Sequence, residues 1–130
     1  MILADTSAWI EFGRGTGSAA DQRLLRLLAE GQPVVTTEPV LMELLAGCRD
    51  LNERDQVRRL LASVDWVPVD PIADFEAAAK VYADCRAAGV TPRGLIDCMI
   101  AAIAMRSGSS LLAADRDFTA MAEVLPLSLA

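Results

Sequence analysis

Four acidic residues, Asp5, Glu43, Asp97 and Asp115, stand where a charge is expensive. Between residues 39 and 47 everything except Glu43 is apolar or small, and between 95 and 105 everything except Asp97 is apolar. A helix that is apolar all round is a buried helix, so each segment carries one carboxylate into a region otherwise meant to be dry. An unpaired buried carboxylate costs several kcal/mol, comparable to the whole ~5–15 kcal/mol stability of a domain. Asp5 follows the apolar run 2–4, and Asp115 follows the strand-like segment 110–113. Brought together, four carboxylates repel by roughly 4 kcal/mol per close pair at a moderate effective dielectric. Such a cluster requires cations or shared protons. Hard oxygen ligands, with no histidine and no paired cysteines, select Mg²⁺ or Mn²⁺.

Each acid also has an ordinary structural role available. Asp5, ahead of Thr6 and Ser7, can cap a helix. Asp97 can lie in a first helical turn, favoured by the macrodipole. Asp115 and Asp117 flank Arg116 ahead of Phe118, as a turn or helix start would require. Glu43, mid-segment among Leu41, Met42, Leu44 and Leu45, is hardest to explain this way. The joint pattern, four acids at the places where an acidic pocket would be assembled, tips the balance towards chemistry.

The rest of the composition narrows that chemistry. Histidine is absent, which removes the Ser-His-Asp triad, the Cys-His pair and any His-containing zinc site. Cys48, Cys85 and Cys98 are too scattered for a zinc site or a disulfide framework and read as small buried residues in a reducing compartment. The formal charge of −6 disfavours a nucleic-acid ligand. Setting the four acids aside leaves only −2 on the rest of the chain, and bound divalent metal inverts the local field. All the basic residues except Lys80 are arginine, which suits phosphate, although coding bias in a GC-rich genome accounts for that excess equally well.

The elements that must position these acids follow from periodicity. The 130 residues fit one domain, 1–130, and 53% hydrophobic content with only 5% aromatic favours a helix-rich α/β chain over a β-sandwich. Short strands are expected at 2–4, 34–35, 66–69 and 110–113. Helices are expected at 8–12, 19–30, from the Thr37-Glu38-Pro39 start to 47, at 50–63 and 72–88, from 91 or 94 to 106, and at 118–122. In helix 50–63, Asp50 with Arg54 and Asp55 with Arg59 stand at i,i+4 spacing on a solvated face. Short apolar strands alternating with helices predict a mainly parallel central sheet covered on both faces. The carboxyl ends of such strands line the ligand crevice, which is where Asp5 and Asp115 stand. No uncharged stretch approaches the ~20 residues of a membrane span, and no basic leader opens the chain. A cytoplasmic protein without membrane association is expected.

The segments ILADTSAWIE, TTEPVLMELLAG, GVTPRGLIDCMIAAIA and SLLAADRDF occur in this order across nearly the whole chain. Their order and spacing resemble a PIN-domain ribonuclease, specifically the VapC toxins of bacterial toxin–antitoxin pairs. The resemblance implies a three-layer α/β/α fold and makes Asp5, Glu43, Asp97 and Asp115 the catalytic, metal-binding set. It adds Asp117 as an auxiliary acid, a hydroxyl from Thr6 or Ser7 supporting the metal shell, and Arg93 at the substrate or the pocket rim. One or two Mg²⁺ ions, with Mn²⁺ as substitute, would activate water to cut an RNA phosphodiester. The implied substrate is a structured RNA, tRNA or rRNA, whose cleavage inhibits translation. A cognate VapB antitoxin that occludes the acidic pocket, often with a basic side chain, and a homodimer are implied as well. One departure is alanine in LLAADRDF, where the family often has Thr or Asn before the acid.

Two other readings compete. A Mg²⁺-dependent phosphatase with Asp5 as covalent nucleophile would want an acid two residues on, where the chain has Ser7. A non-catalytic regulatory domain could use the acidic pocket only to bind metal or a partner's arginine. RNA cleavage with Mg²⁺ or Mn²⁺ separates it from the nuclease.

Overall fold

The computed structural model describes Met1–Ala130. Four short strands, β1 (Ile2–Ala4), β2 (Val34–Thr36), β3 (Asp65–Trp66) and β4 (Ser110–Leu112), form one parallel sheet in the order β3-β2-β1-β4. Helices α1 (Thr6–Arg14) and α2 (Ala19–Ala29) connect β1 to β2, and α3 (Glu38–Ala46) and α4 (Leu51–Ala62) connect β2 to β3. Helices α5 (Ala73–Ala87) and α6 (Leu95–Ser107) connect β3 to β4, and α7 (Asp117–Val124) follows.

This strand order decides where a ligand can sit. The first two crossovers step outward from β1, and the third returns to its opposite side. Right-handed crossovers then put α1–α4 on one face and α5–α6 on the other, which yields the expected three layers. The direction of stepping reverses between β1 and β4, and a crevice opens beyond their carboxyl ends. Leu3 pairs with Leu111 and Ala4 with Leu112 in that ladder, and Asp5 N–H donates to Leu112 O at 2.8 Å. The ends of the two strands are therefore held level, with Asp5 at the lip.

Covered on both sides, β1, β2 and β4 carry apolar runs, with Leu3, Ala4 and Leu111 fully inaccessible, whereas both residues of the edge strand β3 are exposed. Helix α6 is the central helix, buried without interruption from Cys98 to Ala104. Its carboxyl end is fixed by Arg106, whose Nε lies 2.7 Å from Asp74 Oδ1 and whose Nη2 lies 2.8 Å from Asp74 Oδ2 and 2.9 Å from Pro68 O. Gly108 closes the helix at φ 68°, a left-handed turn that a side chain would strain. Anchored there, α6 presents its first turn, with Asp97, at the crevice.

Several boundaries differ from expectation. Strand β3 is confined to Asp65–Trp66: the ladder ends with Val67 N–H donating to Thr36 O at 2.8 Å, and the next donor on that side, Val69 N–H, goes to the Glu38 side chain at 3.0 Å because β2 has already turned into α3. The tail adds an unforeseen pairing: Leu111 N–H donates to Ser128 O and Ala130 N–H to Leu111 O, both at 2.8 Å, covering the free edge of β4. The Asp50–Arg54 and Asp55–Arg59 pairs are replaced by Arg49–Glu53 at 2.8 Å and Arg58–Asp55 at 3.5 Å. Asp50 is engaged instead in capping α4, accepting from Glu53 N–H at 2.8 Å. Helix α3 is not the buried helix its composition suggests: only Pro39 and Val40 are buried, and Met42 is 52% exposed. A sheet of three-residue strands covers little beyond the first turn of that helix.

Candidate metal centre

The chain leaves β1 directly into α1, and Asp5 is the hinge residue. Its extended backbone caps α1 while its Oδ2 accepts from Ser7 N–H at 3.0 Å and from Ser7 Oγ–H at 2.7 Å. The other oxygen, Oδ1, is buried with no hydrogen-bond partner. Desolvation pushes the Asp5 pKa up, Ser7's hydrogen bonds pull against it, and the nearby Glu43 charge adds to the rise. Asp5 therefore caps a helix with one oxygen and leaves the other available for a cation.

The neighbouring hydroxyls hold the site together. Ser7 Oγ, besides donating to Asp5, accepts from Ala114 N–H at 2.9 Å, so one hydroxyl spans the ends of β1 and β4. Thr6 Oγ1–H donates to Glu43 Oε1 at 2.6 Å, orienting the acid that α3 supplies. Glu43 is half-buried, so its place in α3 costs less than the sequence alone implied.

Asp97 lies in the first turn of α6 and belongs to two groups at once. One carboxylate oxygen each from Asp5, Glu43 and Asp97 lies within 4.8 Å of the others, and the same holds for Asp97, Asp115 and Asp117. Its pKa is pushed up to about 6, chiefly by desolvation, then by the charges of Asp5, Glu43, Asp115 and Asp117. Below about pH 6 Asp97 therefore holds its proton and takes one negative charge off the cluster.

The outer trio is shaped by the turn after β4. Asp115 Oδ1 accepts from Asp117 N–H at 2.9 Å, starting α7 without a side-chain cap from Arg116. Arg93 reaches in from the segment ahead of α6. Its Nε is 3.0 Å from Asp117 Oδ2 and its Nη1 is 3.9 Å from Asp115 Oδ2. The Asp117 contact is an ion pair without hydrogen-bond alignment, so buried Asp117 Oδ2 stays unsatisfied.

All eight residues singled out from the sequence, the five acids with Thr6, Ser7 and Arg93, meet at this crevice. A cavity of about 350 Å³ there is lined by Glu43, Arg93, Asp97 and Asp115 with Gly94, Leu95 and Ile96. The donor set is all oxygen, Asp5 Oδ1 is a buried acceptor without a donor, and Asp117 Oδ2 has only the misaligned Arg93 contact. That chemistry fits a hard divalent cation. Sequence reasoning missed two features. One is the Ser7–Ala114 tie, between residues 107 positions apart, for which no local signal exists. The other is a groove of about 720 Å³ beside Glu43, walled by α1, α3 and α4 through Ile10, Leu44, Val57 and Leu60 with Arg14 and Arg49. The unused apolar surface of α3 was its only trace in the sequence.

Comparison with known proteins bears on the family and the fold. A family model described as PIN domain matches residues 2–124. Ribonuclease VapC11 of Mycobacterium tuberculosis is 42% identical over 131 residues, covering 100% of this chain and 98% of that protein. Among solved structures, M. tuberculosis VapC20, described as a Sarcin-Ricin loop cleaving toxin, superposes with a TM-score of 0.71 at 25% identity, covering 98% of this chain and 99% of that one. VapBC2 of Rickettsia felis, bound to a DNA fragment from its promoter, matches with a TM-score of 0.75 at 17% identity, covering 100% and 98%.

Proposed function

The chain belongs to the PIN-domain family, among its VapC ribonuclease toxins, and from that premise we propose that it is a single-domain, Mg²⁺-dependent endoribonuclease, with Mn²⁺ as substitute, acting on tRNA or rRNA in the cytoplasm. The observation that carries this reading is the Asp97 carboxylate, shared between two acidic trios beside the buried, partnerless Asp5 Oδ1.

Asp5, Glu43 and Asp97 would hold the cation, and Asp115 would complete the set with Asp117 as auxiliary ligand. A divalent ion bound there supplies Lewis-acid stabilisation of charge developing on the scissile phosphate and makes water a better nucleophile. Thr6 and Ser7 keep Glu43 and Asp5 in their orientations, so the ligands need not reorganise during the reaction. With no histidine in the chain, the proton of the attacking water goes to a carboxylate oxygen of the cluster. Single-stranded loops of folded RNA offer exposed backbone to a crevice of this size.

The relatives solved as VapBC complexes support a VapB-type antitoxin as partner; its basic side chain in the acidic crevice and a homodimer as the working assembly are what the family resemblance implies. No helix of the chain is long and apolar enough to cross a membrane.

Mapping of new RNA 5′ ends after brief expression tests the reading. A discrete cut in tRNA or rRNA is expected, reproduced by the purified chain with Mg²⁺ and suppressed by EDTA. Intact RNA under both conditions would leave the acidic crevice a non-catalytic binding site.

A further inference from the structure

Arg93 is the single base among the residues lining the acidic cavity, and its position serves two ligands. It stands between buried Pro92, which pins the segment, and Gly94, whose extended backbone starts α6. Its side chain is 76% exposed and is held only by the contacts to Asp115 and Asp117. An ion pair this exposed is easily broken. The carboxylates it touches belong to the trio that shares Asp97. A divalent cation on that trio and a guanidinium on the same two acids repel each other. A guanidinium displaced from the acids remains tethered at the cavity mouth, and its planar fork matches two oxygens of a phosphate.

We propose that Arg93 is the resident counter-ion of the outer trio: it competes with the divalent cation for Asp115 and Asp117, and once displaced it binds a phosphate oxygen of the RNA strand at the cavity mouth. The proposal rests on the reading of the acids as cation ligands. Arg93 couples two events, because the cation that completes the site also frees the residue that receives the substrate. It is a binding residue whose removal has opposite effects on its two ligands.

Calorimetric titration of the full chain with Mn²⁺ alone, and then with uridine 5′-monophosphate at saturating Mn²⁺, tests this without relying on cleavage. R93A is expected to bind Mn²⁺ about three- to fivefold more tightly than the wild type, as loss of an exposed competing ion pair predicts. It should bind the nucleotide about tenfold more weakly, with R93K in between on both measures. R116A is the control for net charge, since Arg116 is exposed, adjacent to both acids and in no ion pair. An R93A effect on Mn²⁺ equal to that of R116A overturns the competition, leaving only a general field effect. Weakening of both ligands by R93A marks a structural role and also overturns it. Unchanged nucleotide affinity removes the phosphate contact. A D97N titration separates the premise from the proposal: Mn²⁺ binding that survives D97N defeats the ligand reading and the proposal with it. Mn²⁺ binding lost in D97N but unaltered in R93A defeats the proposal alone.

Discussion

Asp97→Asn keeps the shape of the side chain and removes the charge common to both trios, so its effect on stability has a sign that depends on what Asp97 is for. In the folded chain the Asp97 pKa is pushed from 3.8 to about 6. A carboxyl whose pKa rises on folding binds its proton more tightly in the folded state. It therefore costs nothing below the unfolded pKa and destabilises increasingly as pH rises through the folded value. At pH 8 the full shift corresponds to about 3 kcal/mol of destabilisation. Asp97 is half-solvated, and screening reduces this to about 1–2 kcal/mol. Losing a charge from the first turn of α6 returns about 0.3–1 kcal/mol of that. The balance is about 1 kcal/mol in favour of the variant. Urea denaturation in EDTA should find D97N about 1 kcal/mol more stable than the wild type at pH 8, with the gap closing by pH 4.5. With Mn²⁺ at about 100 times its Kd the wild type should gain about 2.7 kcal/mol and the variant little. A variant less stable than the wild type at pH 8 in EDTA, with an undiminished Mn²⁺ gain, would refute the reasoning and reduce Asp97 to a helix-dipole residue.

D5N, E43Q and D115N should each lower Mg²⁺-dependent RNA cleavage about 100-fold or more in a gel assay, with D117N milder; two of the first three at wild-type rate would mean the ligand set is wrong. Ser7→Ala and Thr6→Val should each weaken Mn²⁺ binding about tenfold by calorimetry, because they free an oriented carboxylate, and unchanged affinity would confine both hydroxyls to folding. Arg106→Ala should cost about 3 kcal/mol at pH 7 by leaving Asp74, 1% exposed, without its cation. Burial raises the Asp74 carboxyl, but the Arg106 hydrogen bonds and the Asp70 N–H outweigh it and hold the pKa below its ordinary 3.8. That stabilisation is present above the unfolded pKa and lost as pH falls through the lower folded one, so the gap between wild type and R106A should shrink in melts near pH 3, and a gap constant with pH would contradict the pairing.

Much of the site was legible because it rests on local rules. A charge inside an apolar run, as at Glu43 and Asp97, is visible without coordinates, and so is an acid directly after a buried strand, as at Asp5. The alternation of short apolar strands with helices determined the parallel, double-covered sheet, since the apolar strands β1, β2 and β4 must be buried on both faces; only the edge pair Asp65–Trp66 stays exposed. The helix-capping and the chemical readings of Asp5 looked like rivals in the sequence. In three dimensions they are both satisfied, one oxygen taken by Ser7 and the other left over. What tertiary structure alone decided is how the acids divide. Their sharing of Asp97 depends on strand order, on the level ends of β1 and β4, and on Arg106 anchoring the far end of α6, none of which has a local signature. The exposure of α3 was misjudged for a related reason: an apolar composition says that a surface will be covered, but not whether the same chain covers it. The Ser7–Ala114 tie joins residues 107 positions apart, and only the closed fold brings that hydroxyl to that amide.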